Sequence, residues 1–177
     1  MFRQNMKIMS LLKRFILLMW LFSLPIPSVA IEEQRLKAAI TFKLTLFVSW
    51  PAKEKVLNLC TFSKYSFKSL KSTISHQISK GREIQVKLLG LDEDYSERCQ
   101  ILNLDNLSGS QITDILESIK KQPILTVGSG DSFAREGGMI GLYIDNNNVK
   151  FSINLHASRQ AELNISSSLL KLAAKVY

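Results

Sequence analysis

Four short apolar runs, separated by stretches of helical period, constrain this chain more than any other feature. Val56–Phe62, Glu83–Leu89, Cys99–Leu104 and residues 123–127 each have strand length and strand composition. Between them, Ser66–Ser79 reads as a helix with Leu70, Ile74 and Ile78 on one face, and Gly81 is the expected C-cap glycine. Ile112–Lys120 reads as a second helix, with Ser110 as its N-cap. Strands alternating with helices predict parallel strands joined by helical crossovers.

The pattern changes after residue 138. Met139–Ile144 is apolar, and Asp145-Asn146-Asn147-Asn148 is turn chemistry, because asparagine tolerates left-handed backbone angles. Val149, Phe151, Ile153 and Leu155 then alternate with Lys150, Ser152, Asn154 and His156, which predicts an antiparallel hairpin with one buried face. Ser166–Val176 reads as a terminal helix. At the other end, Glu32–Ser49 has helical period and Pro51 bounds it. Leu36, Ala39, Ile40, Leu44, Phe47 and Val48 form one stripe of that helix, and Ala38, Phe42 and Leu46 a second. Two stripes mean either a helix buried on more than one side or one stripe left for a partner or a second copy. The expected fold is α/β: a single domain with a mixed, mostly parallel sheet flanked by helices, then a C-terminal antiparallel hairpin and a terminal helix.

Residues 1–30 are expected to be a secretory signal. Arg3, Lys7, Lys13 and Arg14 give a positive start with no acid. An apolar core at 15–24 follows, then Pro25, Pro27 and the small residues Ser28-Val29-Ala30. The core is too short to span a bilayer, which needs about 20 apolar residues. Cleavage is expected between Ala30 and Ile31, leaving a domain of 31–177 in the periplasm. Export changes the charge argument. The whole chain carries a formal +8; residues 31–177 hold 19 basic and 15 acidic residues, or +4. The remaining Lys and Arg are scattered and form no aromatic-interleaved run, so nucleic acid is not an expected partner. Cys60 and Cys99 both follow the cleavage point, and an even count in an exported chain argues for a disulfide. Two histidines, His76 and His156, and no Cys-x-x-Cys leave little for a metal site. No cofactor and no metal are expected.

The loop "VGSGDSFAREGG" (127–138) invites two catalytic readings. A dinucleotide fingerprint needs a third glycine where Phe133 stands, and no Gly-Lys-Ser/Thr follows for a P-loop. A Gly-Asp-Ser hydrolase would need a base for Ser132, yet the downstream His156 has Ile153, not an aspartate, three residues before it. The expectation is a non-enzymatic protein with no catalytic residue.

Three blocks together resemble one family: "LTLFVSWPAK" (44–53), "VLNLCTF" (56–62) and the long stretch 123–173. The most specific piece is Gly137-Gly138-Met139-Ile140, leading to Phe151, Ile153 and Asn154, then Ala157, Ala161, Ile165-Ser166-Ser167 and Leu169-Leu170. These resemble the YfiR family of periplasmic proteins. The resemblance implies a small dimeric α/β domain that acts by binding. It implies repression of a membrane diguanylate cyclase through that enzyme's periplasmic sensor domain, control of biofilm growth through cyclic-di-GMP, and sequestration by an OmpA-like lipoprotein. It pairs Cys60 with Cys99; a second family cysteine pair falls at Ala134 and Gly141, so redox control by a second bridge is in doubt here. Gly137, Gly138, Met139, Phe151 and Asn154 are its structural hallmarks. Phe42, Leu46 and Trp50 are the expected partner or dimer face, since aromatic anchors dominate interfaces. The alternatives are a periplasmic small-molecule-binding protein serving a transporter or sensor kinase, and, less favoured, the hydrolase.

Overall fold

The computed structural model describes residues 28–52, 54–146 and 148–177. Glu32–Tyr177 form one unit, and every strand belongs to it. The expected signal segment lies outside the described residues up to 27, and at Ala30 and Ile31 only helical backbone is described.

The helix α1 (Ser28–Thr45) leads to β1 (Val48–Ser49), β2 (Val56–Thr61), α2 (Lys64–Ile74), β3 (Ile78–Ser79), β4 (Arg82–Leu88) and β5 (Ile101–Asn103). Then come α3 (Gly109–Ser118), β6 (Leu125–Ser129), α4 (Asp131–Arg135), β7 (Ile140–Asp145) and β8 (Asn148–Ile153). The chain ends with α5 (Leu155–Gln160), β9 (Asn164–Ile165), α6 (Ser167–Leu172) and β10 (Lys175–Val176). Eight strands form one sheet in the order β10-β8-β7-β6-β5-β2-β4-β3. Pairing is parallel except at β7–β8 and β3–β4. The mixed, mostly parallel sheet expected from the alternation is therefore present.

Period-two alternation divides the core between the two sheet faces. Leu57 and Leu59 of β2, Ile101 of β5 and Val127 of β6 share one cluster with Leu44 of α1, Ile74 of α2 and Leu169 of α6. Cys60 and Leu102, one residue on, share another with Ile115 of α3 and Phe133 of α4. Helices cover both faces, so β5 is buried at all three positions.

Local chemistry sets the element ends. Ser108 and Gln111 form a capping box at α3, displacing the start from the expected Ser110. Ser63 caps α2, and Ser166 caps α6, as expected for a helix start there. The expected helix to Ser79 stops at Ile74. His76 then takes φ 66, and the chain turns through Lys80 (φ 49) and Gly81 (φ 78) into an antiparallel pair, Ser79 opposite Arg82. Gly81 is thus a hairpin residue rather than a helix cap, and Ile78 is 64% exposed rather than on a helix core face. The N-terminal helix likewise ends at Thr45, because Val48–Ser49 pair with Asn164–Ile165. The terminal helix ends at Leu172, and Lys175–Val176 add a parallel edge strand beside β8. The strand expected at 123–127 runs from Leu125 to Ser129. In the hairpin at Gly81 and at the ends of α1 and α6, a short strand pairing overrides the local helical period.

Candidate regulatory site

The glycine block works by close packing. The ring of Phe133 lies against the backbone of Gly128 on one side and Gly138 on the other; a Cβ at either position would overlap it. The Gly138 amide donates to the Phe133 carbonyl at 2.9 Å, and Gly137 has φ +109, a conformation that side-chain-bearing residues rarely adopt. Met139 is held by its amide donating to Thr126 Oγ1 at 2.9 Å. Asn154 joins both sides of the knot. Its Nδ2 donates to the Ala134 carbonyl at 2.8 Å, and its Oδ1 accepts from the Ala157 amide at 2.8 Å, capping α5. Phe151 stands opposite Leu142 in the hairpin and packs against the core. The residues expected as structural hallmarks therefore lock α4 to the β7–β8 hairpin.

The loop that suggested a nucleophile makes a long-range contact. Asp131 accepts from Lys175 Nζ at 2.7 Å and from Tyr177 Oη at 3.0 Å. These hydrogen bonds, that from Lys175 foremost, hold its carboxyl below the usual aspartate range, and Asp131 in turn raises Lys175. Among the described residues no hydrogen bond joins Ser132 to either histidine. His76 pairs with Glu83 at 2.6 Å. His156, expected on a strand, is an exposed residue of α5, because the Asn154 cap ends the strand at Ile153.

His156 does line a groove of ≈ 290 Å³ between α3 and α5. Gly137, Met139 and Asn154 line it, together with Glu117, Lys120 and Glu136. Cys60 and Cys99 form a disulfide with a Cα–Cα separation of 6.0 Å, ordinary for such a bridge, on the sheet face covered by α3. Both cysteines are buried, at 0% and 2% exposure.

The expected partner face separates into different environments. Leu46 is 37% exposed, just past the end of α1. Phe42 is half-buried and packs against the core. Trp50 is fixed in place: its indole N–H donates to the Gln100 carbonyl at 3.2 Å, and the Arg82 guanidinium stands 4.9 Å from the ring centroid. Leu36, placed by its spacing on the core stripe, is 44% exposed. The sheet-facing side of α1 holds Lys37, Ala38, Thr41, Leu44 and Thr45, all buried. Ile40, Leu44, Phe47 and Val48 of the expected core stripe do pack in the core, but the buried side also takes the polar Lys37, Thr41 and Thr45, which apolar spacing does not reveal. The outward stripe is Leu36, Ala39, Lys43 and Leu46, at spacings of three and four.

One polar cluster has no signature in the spacing at all. Lys37 Nζ donates to Ser129 Oγ at 3.1 Å, and Ser129 Oγ donates to Asp105 Oδ1 at 2.8 Å. Asn103 Nδ2 donates to Asp105 Oδ2 at 3.4 Å, and Thr61 Oγ1 to Asn103 Oδ1 at 3.3 Å. Its members come from α1 and from the ends of three strands, so no local motif announces it.

The domain is a disulfide-stapled, three-layer α/β fold whose glycine-block residues serve packing. A family model described as YfiR/HmsC-like matches residues 34–174, and the chain belongs to that family, known for periplasmic regulators. Comparison with curated proteins returns no match. Among solved structures, the chain is similar to one described as the ABC domain in complex with L-Trp from Streptococcus pneumonia. Identity is 12% and the TM-score 0.54, over 81% of this chain and 60% of that one, a likeness of fold alone.

Proposed function

We propose that this protein is an exported, non-enzymatic repressor acting in the periplasm. It binds the periplasmic sensor domain of an inner-membrane diguanylate cyclase and holds cyclic-di-GMP synthesis down. Family membership across residues 34–174 carries this reading. For repression, its affinity must differ between the receptor's two states, since equal affinity shifts no equilibrium. An OmpA-like lipoprotein is the expected competitor, and the repressor is expected to be a homodimer.

The contact is assigned to the outward side of α1 around Leu46, extending to Leu36, with Phe42 and Trp50, expected on the same face, held against the core instead. Leu36 and Leu46 are large, apolar and exposed on one outward stripe. A photo-crosslinking residue at position 46 tests this in cells. A covalent adduct with an inner-membrane diguanylate cyclase is expected, and none from position 87 on β4. Crosslinking only to abundant bystanders, or equally from both positions, would refute the assignment.

The groove lined by Gly137, Met139 and Asn154 favours a second reading, a small-molecule sensor serving a membrane transporter or kinase. A ligand-induced rise in Tm that is lost on filling the groove, for instance with Ala157→Trp, distinguishes the two.

A further inference from the structure

The buried polar cluster lies where open α/β sheets bind ligands. From β2 the chain moves outward to β4, then returns across to β5 on the other side of β2 and continues through β6 and β7. The carboxyl ends of β2 and β5 therefore flank a topological switch point, the place where such folds form a binding crevice. Thr61 and Asn103 are the last residues of those two strands, Asp105 follows by two, and Ser129 ends β6.

That crevice is filled by the protein's own helix. Lys37 of α1, 9% exposed, reaches in and places its ammonium on Ser129 Oγ, with Glu33 Oε1 behind it at 2.9 Å. Asp105 is 6% exposed, and its hydrogen-bond donors among the described residues are the neutral groups of Ser129 and Asn103. A buried carboxylate demands a compensating cation, and Lys37 supplies one across a single hydroxyl. Ala38 and Leu44 of α1 join the apolar core, and Lys37 makes the polar contact of α1 with this end of the sheet. Thr41 satisfies itself within the helix, at the Lys37 carbonyl, and Thr45 reaches Ser79 at 2.8 Å beside Arg82, at the opposite end of the sheet. Ser129 is exposed, so solvent reaches the cluster.

We propose that this crevice is a ligand site, that Lys37 is its resident occupant, and that it takes a small molecule bearing a primary ammonium group. The incoming ammonium replaces Lys37 on Ser129 and Asp105, and the N-terminal half of α1 lifts with Lys37 still paired to Glu33. One cation replaces another, so the exchange leaves the buried charge balanced. A primary ammonium offers three N–H donors, and a quaternary one offers none.

The test uses Lys37→Met, which keeps the alkyl stem and removes the charge, with n-propylamine as probe and propyltrimethylammonium as control. At ten times its Kd the amine should raise the Tm of Lys37→Met by about 3–6 °C. The quaternary control should do nothing, and adding Asp105→Asn should abolish the response. No response, or an equal response to the control or in the Asp105→Asn background, overturns the proposal. Should Lys37→Met fail to fold, hydrogen exchange of the wild-type protein decides. Faster exchange of amides 32–45 with n-propylamine, the sheet unchanged, supports the site, and unchanged exchange overturns it.

Discussion

The carboxylate of Asp131 accepts a hydrogen bond from the ammonium of Lys175 at 2.7 Å, tying the start of α4 to the edge strand β10 across 44 residues of sequence. Tyr177 adds a hydroxyl donor to the same carboxylate at 3.0 Å. The pair sets a pH window. Asp131 is held below its ordinary range, so its contribution is full above about pH 4 and is lost as pH falls through the depressed folded value. Lys175 is held above its ordinary range, so its contribution is full below about pH 10 and is lost as pH rises through the raised folded value. The Tm difference between wild type and Asp131→Asn should therefore be flat between these limits and shrink outside them. A difference independent of pH would contradict the assignment.

Gly138 and Phe133 should behave as one unit. Alanine at Gly138 places a methyl inside the Phe133 ring, and overpacking of this kind costs about 1–3 kcal/mol. Phe133→Leu replaces the ring with a smaller side chain and should recover part of that loss. Urea unfolding of the two single variants and the double variant gives the coupling. Additive effects would mean the ring does not press on Gly138.

Replacing both Cys60 and Cys99 with alanine removes the covalent link across 39 residues. Loop-closure entropy gives about 4 kcal/mol, or roughly 8–16 °C in Tm. Reduction of the wild type should give a similar shift, read by calorimetry with and without reductant. Because both sulfurs are buried, reduction of the folded protein should be slow and should accelerate with mild denaturant.

Leu36→Glu with Leu46→Glu places two charges on the outward stripe of α1. Exposed sites away from packing usually change stability by less than about 0.5 kcal/mol, so Tm should stay near wild type. Repression in cells should be lost. Intact repression with a folded variant would move the contact elsewhere on the domain.

The fold is legible in the sequence where burial alone decides the pattern. The strands around Cys60, Ile84, Leu102 and Val127 have strand-length apolar patterns separated by helical period, so their parallel pairing can be read directly. Pairings of two residues with a distant partner cannot. Val48–Ser49 against Asn164–Ile165, and Lys175–Val176 beside β8, have no local signature distinct from a helix end. The buried face of α1 is hidden for a related reason. Lys37, Thr41 and Thr45 point inward, and the partners Ser129 of Lys37 and Ser79 of Thr45 lie 92 and 34 residues away. The glycine block is legible as a unit, but the reason for it, the ring of Phe133, emerges only from the fold.

Repression is tested most directly by cellular cyclic-di-GMP in a strain lacking this gene, beside the wild type and a strain restored with the intact gene. A repressor requires a rise on deletion that restoration reverses and that the Leu36→Glu/Leu46→Glu variant fails to reverse. An unchanged level in the deletion strain would refute the role.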